Sequence, residues 1–126
     1  MTHGVGIDMI EVERVGSGIS KESGFREMIF SATEIAYCES KKNKFEHYAA
    51  RFAAKEAGAK ALGTGISHGV SWLEIEVVRE PSGRPTIKFY GRAAQIAARL
   101  GVTHATLSIT HTTDLAMASV VLENGA

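Results

Sequence analysis

The sequence predicts an α+β fold, a mostly antiparallel sheet packed on one long central helix. Three observations carry this. The stretch Lys44 to Leu62 is rich in alanine, free of proline and of β-branched residues, and followed by Gly63, as a helix end requires. A strand-like run, Val5 to Val12, precedes it. Two pairs of alternating or β-rich segments follow it, each pair joined by a short turn, the pattern of hairpins.

In order, Val5-Gly6-Ile7-Asp8-Met9-Ile10-Glu11-Val12 reads as the first strand, with Ile10 and Val12 on the face that carries Asp8. Arg14 closes this element. The region of Gly16, Gly18 and Gly24, with Ser20-Lys21-Glu22-Ser23 inside it, reads as loop. Phe25 to Phe30 fits a short helix. Ser31-Ala32-Thr33-Glu34 has the hydroxyl-to-glutamate spacing of a capping box and starts a helix running to about Glu39. A basic linker, Ser40-Lys41-Lys42-Asn43-Lys44, leads into the central helix. Around that helix, at ~100° per residue, Phe45, Tyr48, Phe52 and Ala59 share one face and Glu56 falls within it. Ala50, Ala53, Ala54, Ala57 and Ala61 make the other side small and apolar. Gly63 to Gly69 is a loop. Trp72 to Glu80 alternates as a strand, Pro81-Ser82-Gly83-Arg84 turns, and Pro85 to Tyr90 returns. Gly91 to Leu100 is a short helix stopped at Gly101. His104 to Thr110 and Leu115 to Leu122 are the last two strands, joined by His111-Thr112-Thr113-Asp114.

Composition excludes several classes. At 126 residues the chain is long enough for one domain, read here as residues 1–126. Fourteen basic and fourteen acidic side chains cancel, so no global field draws in nucleic acid or an anionic membrane, and any anion site is local. The single cysteine, Cys38, permits no internal disulfide and no CxxC metal spacing, which fits a reducing cytoplasm. The start, Met1-Thr2-His3-Gly4, has neither the basic residues nor the apolar run of a signal peptide. No nucleophile motif of a triad hydrolase is present, and Cys38 reads as a buried helix residue.

The residues that attract chemistry lie mainly on the first strand and the central helix. Asp8 and Glu56 are carboxylates in apolar settings, a placement that costs free energy unless each is paired or bound to a cation. Two hard oxygen donors without a Cys or His cluster suit Mg²⁺ completed by water and substrate phosphates. The plainer reading pairs Asp8 with Arg14 and Glu56 with Lys60, and both stay open on pattern alone. Lys60 is then either that helix partner or a group that stabilises and protonates a departing phosphate. Arg51 and Lys55 sit four apart, a repulsive spacing that an anion between them would reverse. His111, at the end of a strand, is incidental unless it stands beside Arg51, where it can hold a phosphate. Lys41, Lys42 and Lys44 read as a solvated loop or a docking patch.

Taken together, Gly6-Ile7-Asp8-Met9-Ile10-Glu11, Phe30-Ser31-Ala32-Thr33-Glu34, Arg51-Phe52-Ala53-Ala54-Lys55-Glu56-Ala57 with Lys60, Gly83-Arg84-Pro85, and Ser108-Ile109-Thr110-His111 resemble the holo-acyl-carrier-protein synthases. These are the small bacterial 4'-phosphopantetheinyl transferases. The motifs fall in the family's order and cover nearly the whole chain. The resemblance implies the 4'-phosphopantetheinyl transferase fold. It also implies transfer of 4'-phosphopantetheine from coenzyme A to a serine of apo-acyl carrier protein, with release of adenosine 3',5'-bisphosphate, in fatty acid biosynthesis. On the same basis Asp8 and Glu56 are expected to bind Mg²⁺ with the coenzyme A pyrophosphate. Lys60 is expected to assist the departing phosphate, and Arg51 and His111 to contact coenzyme A phosphates. Arg14 is expected to meet the acidic carrier protein. Glu56 is the candidate to activate the serine, directly or through a water on the metal. The family is homotrimeric with sites between subunits, and the alanine-rich face of the central helix is expected to pack there. Two other classes compete: a Mg²⁺-dependent pyrophosphate hydrolase, which needs more carboxylates on one helix than Glu56 offers, and a non-catalytic nucleotide- or protein-binding module.

Overall fold

The computed structural model describes residues 1–125. Strand β1 (Thr2–Glu11) runs directly into helix α1 (Val12–Ser20), followed by α2 (Phe25–Ile29), α3 (Ala32–Glu39) and the long α4 (Lys44–Leu62). After a loop come β2 (Ile75–Arg79), β3 (Pro85–Phe89), α5 (Gly91–Arg99), β4 (His104–His111) and β5 (Leu115–Glu123). β5 lies in the middle of a three-stranded antiparallel sheet between β1 and β4, and β2 and β3 form a separate hairpin. Asp8 stands opposite Ala118, and Ser108 opposite Ser119. The predicted α+β class with an antiparallel sheet on a long helix is the architecture observed.

Small residues explain how α4 reaches the sheet. Ala53, Ala54, Ala57 and Ala61 are buried against Ala118, Val120 and Leu122 of β5. At the crossing with β1, a Cβ on Gly4 or Gly6 would collide with the α4 backbone at Ala61 or Ala57. The expectation that the alanine-rich face packs against another subunit is therefore corrected: it packs on this chain's own sheet. Strand alternation does the rest. Gly6, Asp8 and Ile10 point toward α4, while Val5, Ile7 and Met9 are exposed on the opposite face beside Leu115 and Met117.

A second cluster under the first half of α4 gathers Val15, Ile19, Ile29, Phe30, Cys38 and Tyr48, so Cys38 is buried as expected. α1 corrects the reading of residues 16–20 as loop and of Arg14 as the end of the strand. Val12, Val15, Gly16 and Ile19 form a helical stripe that turns inward. Its glycines serve close approach to rings: a Cβ on Gly16 would lie 3.2 Å from the Phe45 ring, and one on Gly18 3.0 Å from Phe25. The capping box is present, with Glu34 N donating to Ser31 Oγ at 3.2 Å and Ser31 N donating to Glu34 Oε1 at 2.8 Å. Gly63 ends α4 in the left-handed region at φ 84°. The strand expected from Trp72 begins only at Ile75, because Trp72–Glu74 is a 3-10 turn that leaves Leu73 exposed. Among the described residues no helix is long and apolar enough to cross a membrane.

Candidate active site

Where β1 crosses α4, a strand carboxylate meets two helix side chains one turn apart. Lys60 Nζ lies 3.0 Å from Asp8 Oδ1 and donates to the Ile7 carbonyl at 3.1 Å. Asp8 is 15 % exposed and Lys60 50 %, so the pair is partly open to solvent. Glu56, one turn before Lys60, points into the same place. Burial and then the charge of Asp8 push its carboxyl above the usual range, and Lys60 offsets part of this. The plainer pairing read from spacing is thereby corrected. Lys60 reaches across to Asp8 instead of back to Glu56, and Arg14 stands exposed on α1 without meeting Asp8. Among the described residues no third His, Cys, Asp or Glu joins the two carboxylates.

The second group of expected residues gathers elsewhere. Arg51 and His111 line one cavity of about 170 Å³ with Tyr37, His47, Arg79, Gly83 and Pro85. Arg51 is only 5 % exposed, and its guanidinium lies 4.1 Å from the centre of the Tyr37 ring. The guanidinium of Arg79 stacks on the same ring at 4.8 Å, and Lys41 Nζ approaches it at 4.8 Å. Such stacking suits a planar guanidinium. His111 Nδ1 pairs with Glu46 Oε1 at 2.9 Å, and its ring meets His47 edge-on at 5.0 Å. Burial, followed by His111, Arg51 and Lys41, holds the His47 imidazole below its ordinary value. Among the described residues Arg51 has no carboxylate partner. A nearly buried, unpaired cation in a cavity lined by further cations is a place for an anion. Sequence singled out Arg51 and His111 here and missed Tyr37, His47 and Arg79, which stand on three different elements and carry no motif of their own beyond Gly83-Arg84-Pro85 nearby. Larger cavities, of about 410 and 510 Å³, open beside α2 and touch neither group.

The anion expected between Arg51 and Lys55 is not shared by them. Lys55 is fully buried, and its Nζ lies 2.8 Å from Glu34 Oε1. The carboxylate that answers Lys55 belongs to α3 of the same chain. On α4, Arg51 and Glu56 are five residues apart, which places them roughly 140° apart around the axis and ~7.5 Å along it. The two groups of functional side chains thus leave the helix in different directions.

A chain with this sheet-and-helix fold, a carboxylate pair with a lysine, and a cationic cavity belongs to the 4'-phosphopantetheinyl transferase superfamily, whose family model matches residues 4–120. Within it, the similar relatives are holo-[acyl-carrier-protein] synthases. That of Koribacter versatilis is 51 % identical over 98 % of this chain and 100 % of its own length. That of Solibacter usitatus is 52 % identical with the same coverage, 98 % and 100 %. The crystal structure of the holo-(acyl-carrier-protein) synthase of Bacillus anthracis in complex with CoA (3',5'-ADP) superposes with a TM-score of 0.81 at 37 % identity, covering 99 % of each chain.

Proposed function

We propose that this chain, as one domain over residues 1–126, transfers the 4'-phosphopantetheine group of coenzyme A to a serine of apo-acyl carrier protein. The products are holo-acyl carrier protein and adenosine 3',5'-bisphosphate, and the reaction serves fatty acid biosynthesis. The observation that carries the reading is the convergence of Asp8, Glu56 and Lys60 at the β1–α4 crossing. Two neighbouring carboxylates with no third protein ligand among the described residues fit Mg²⁺, which keeps open positions for water and phosphate oxygens. Asp8 and Glu56 would hold it, and bound there it would offset charge on the pyrophosphate.

The chain's own residues supply the rest. The serine oxygen attacks the phosphorus that carries the pantetheine arm, the pyrophosphate P–O bond breaks, and the electron pair leaves on the nucleotide phosphate. Glu56, beside Asp8 and Lys60, is the candidate to take the serine proton, directly or through a water. Lys60, half exposed and 3.0 Å from Asp8, stabilises the departing phosphate and returns a proton to it. Arg51 and His111 hold a phosphate of the nucleotide end in the cationic cavity, against Arg79 and Tyr37. Arg14, exposed on α1 near Lys21, meets the acidic carrier protein. The lone buried thiol is in keeping with a reducing cytoplasm.

The angle between Arg51 and Glu56 supports a site completed by two copies, one giving the carboxylates and the next the cationic cavity. The exposed apolar row of Val5, Ile7, Met9, Leu115 and Met117 supports the sheet face as the surface where copies of a homotrimer meet. Intact-mass measurement of apo-acyl carrier protein incubated with this chain, coenzyme A and Mg²⁺ tests the reading. The expected result is a gain of one phosphopantetheine, abolished by a chelator and by Asp8→Ala or Glu56→Ala. Coenzyme A cleavage without an adduct would make the chain a hydrolase, and binding without turnover would make it a binding module.

A further inference from the structure

Of the charged pairs that the chemistry proposed above leaves unused, one is the most deeply buried among the described residues. Glu34 on α3 is 1 % exposed and Lys55 on α4 is 0 % exposed. The ammonium group spends all three of its protons inside the protein: on Glu34 Oε1 at 2.8 Å, on the Ile75 carbonyl at 2.6 Å and on the Trp72 carbonyl at 3.2 Å. Glu34 in turn accepts from the backbone of Ser31 at 2.8 Å and of Val77 at 2.8 Å. Ser31 Oγ donates to Glu76 at 2.6 Å, adding a second tie between the start of α3 and β2. The network is complete. Stability alone is a poor reason for it, since a buried ion pair gives no more than well-packed apolar side chains of the same volume.

What the pair does control is the relative placement of three elements. The β2–β3 hairpin shares no ladder with the main sheet. Its polar anchorage to the helices runs through Ile75, Glu76 and Val77. Each member of the network also stands one short step from a member of the cationic stack. Tyr37 follows Glu34 by one turn of α3, Arg51 precedes Lys55 by one turn of α4, and Arg79 lies two residues beyond Val77 on the same face of β2. The distances of 4.1 and 4.8 Å from the two guanidinium groups to Tyr37 are set by how α3, α4 and β2 are held together, one layer below.

We propose that Glu34 and Lys55 are positioning residues for the phosphate-binding cavity, a rivet that holds Arg51 and Arg79 on one tyrosine ring so that both meet the same phosphate. This rests on the reading of that cavity as a coenzyme A phosphate site. Removing the pair loosens the cavity without touching the carboxylate cluster at the other face of α4. The effect therefore falls on KM for coenzyme A and leaves kcat nearly unchanged.

The test is a double variant, Glu34→Gln with Lys55→Met, which removes the buried charges and keeps an acceptor oxygen for one of the Ser31 and Val77 amides. It is compared with Arg51→Ala, using coenzyme A and 3'-dephospho-coenzyme A as substrates. The double variant is expected to melt roughly 10 °C below the parent, since the Ile75 and Trp72 carbonyls and one amide lose their partners. Its KM for coenzyme A should rise roughly tenfold, with kcat changed less than about twofold, as when a supporting shell is removed. Its preference for coenzyme A over the dephospho form should shrink in proportion. If Arg51→Ala raises KM and the double variant does not, the positioning role is wrong and the cavity assignment stands. If Arg51→Ala also leaves KM unchanged, the cavity assignment fails and takes the proposal with it. Should the double variant not fold, Glu34→Gln alone is measured in the same way; if it too fails to fold, or loses kcat as much as KM, the pair is a stability element and the proposal is overturned.

Discussion

Gly6→Ala is the sharpest single-atom challenge to the site. The added Cβ would overlap the Ala57 carbonyl oxygen and lie 2.8 Å from both the Ala57 carbonyl carbon and the Ala61 nitrogen. All three are backbone atoms, so no rotamer change relieves the clash. Ordinary contact begins near 3.5 Å, and the overlap with the Ala57 oxygen is the closest, so β1 and α4 must part by roughly 1.5 Å. Asp8 lies two residues further on the same face of β1, and its 3.0 Å contact with Lys60 crosses the gap that opens. A parting of that size takes the contact beyond hydrogen-bond range and draws Asp8 away from Glu56. Overpacking of this kind costs about 3 kcal/mol. For a chain between the sizes usually tabulated, that lowers Tm by roughly 10 °C. The misplaced carboxylates cost kcat/KM ~100-fold. Thermal melting by circular dichroism and steady-state phosphopantetheinylation check the two halves separately. A variant that melts lower yet keeps full activity would show that strand and helix shift without separating the carboxylates. Unchanged Tm and activity would refute the close-approach reasoning altogether.

Three further outcomes are expected. Glu56 has a raised carboxyl pKa, so folding with it ionised is unfavourable, a cost present above the folded-state pKa and gone below the unfolded value. Metal-free Glu56→Gln should therefore melt higher than the parent near pH 8, the gain closing as the pH falls toward 4; Mg²⁺ should stabilise the parent and not the variant, and a gain independent of pH would contradict the assignment of the shift. The Cys38 thiol is fully buried and pushed up to about 12 by desolvation, so the native protein should take up no maleimide at neutral pH and one equivalent in denaturant. Met9→Lys puts a charge in the exposed apolar row without touching α4, and sedimentation should show a shift to single chains with loss of activity; an intact trimer would move the interface elsewhere.

Much of this architecture was legible because its signals are local. The alanine-rich α4 with its closing glycine, the capping box at Ser31 and the alternation of the last strands each lie within a few residues, where spacing maps onto geometry. α1 was hidden by its glycines, whose role is to admit the Phe45 and Phe25 rings, and ring packing leaves no periodic mark. The strand start at Trp72 misled because alternation there belongs to a 3-10 turn. In the site, Asp8, Glu56 and Arg51 could be named as chemically odd for their positions, and His111 only through the resemblance. Their true neighbours could not. Lys60 had a ready partner one turn away on its own helix and took one from β1. Glu34 was already accounted for as a cap, so nothing suggested that its other oxygen serves Val77 or that Lys55 lies against it. Tyr37, His47 and Arg79 acquire meaning only when α3, α4 and β2 are folded together.

The placement of β1 at the sheet's edge has a consequence for how the chain reaches its active form. The strand that carries Asp8 precedes the other described elements, yet its ladder partner β5, Leu115–Glu123, follows all of them. Loop closure over so many residues makes this pairing one of the most non-local in the molecule. Until β5 is present, Asp8 has only the α4 side of its surroundings, the contacts of Lys60 and the small residues, and no ladder to align its strand. Competence for catalysis waits on β5, and a chain cut within the turn at 112–114 keeps all of its proposed catalytic residues while lacking the strand that aligns them.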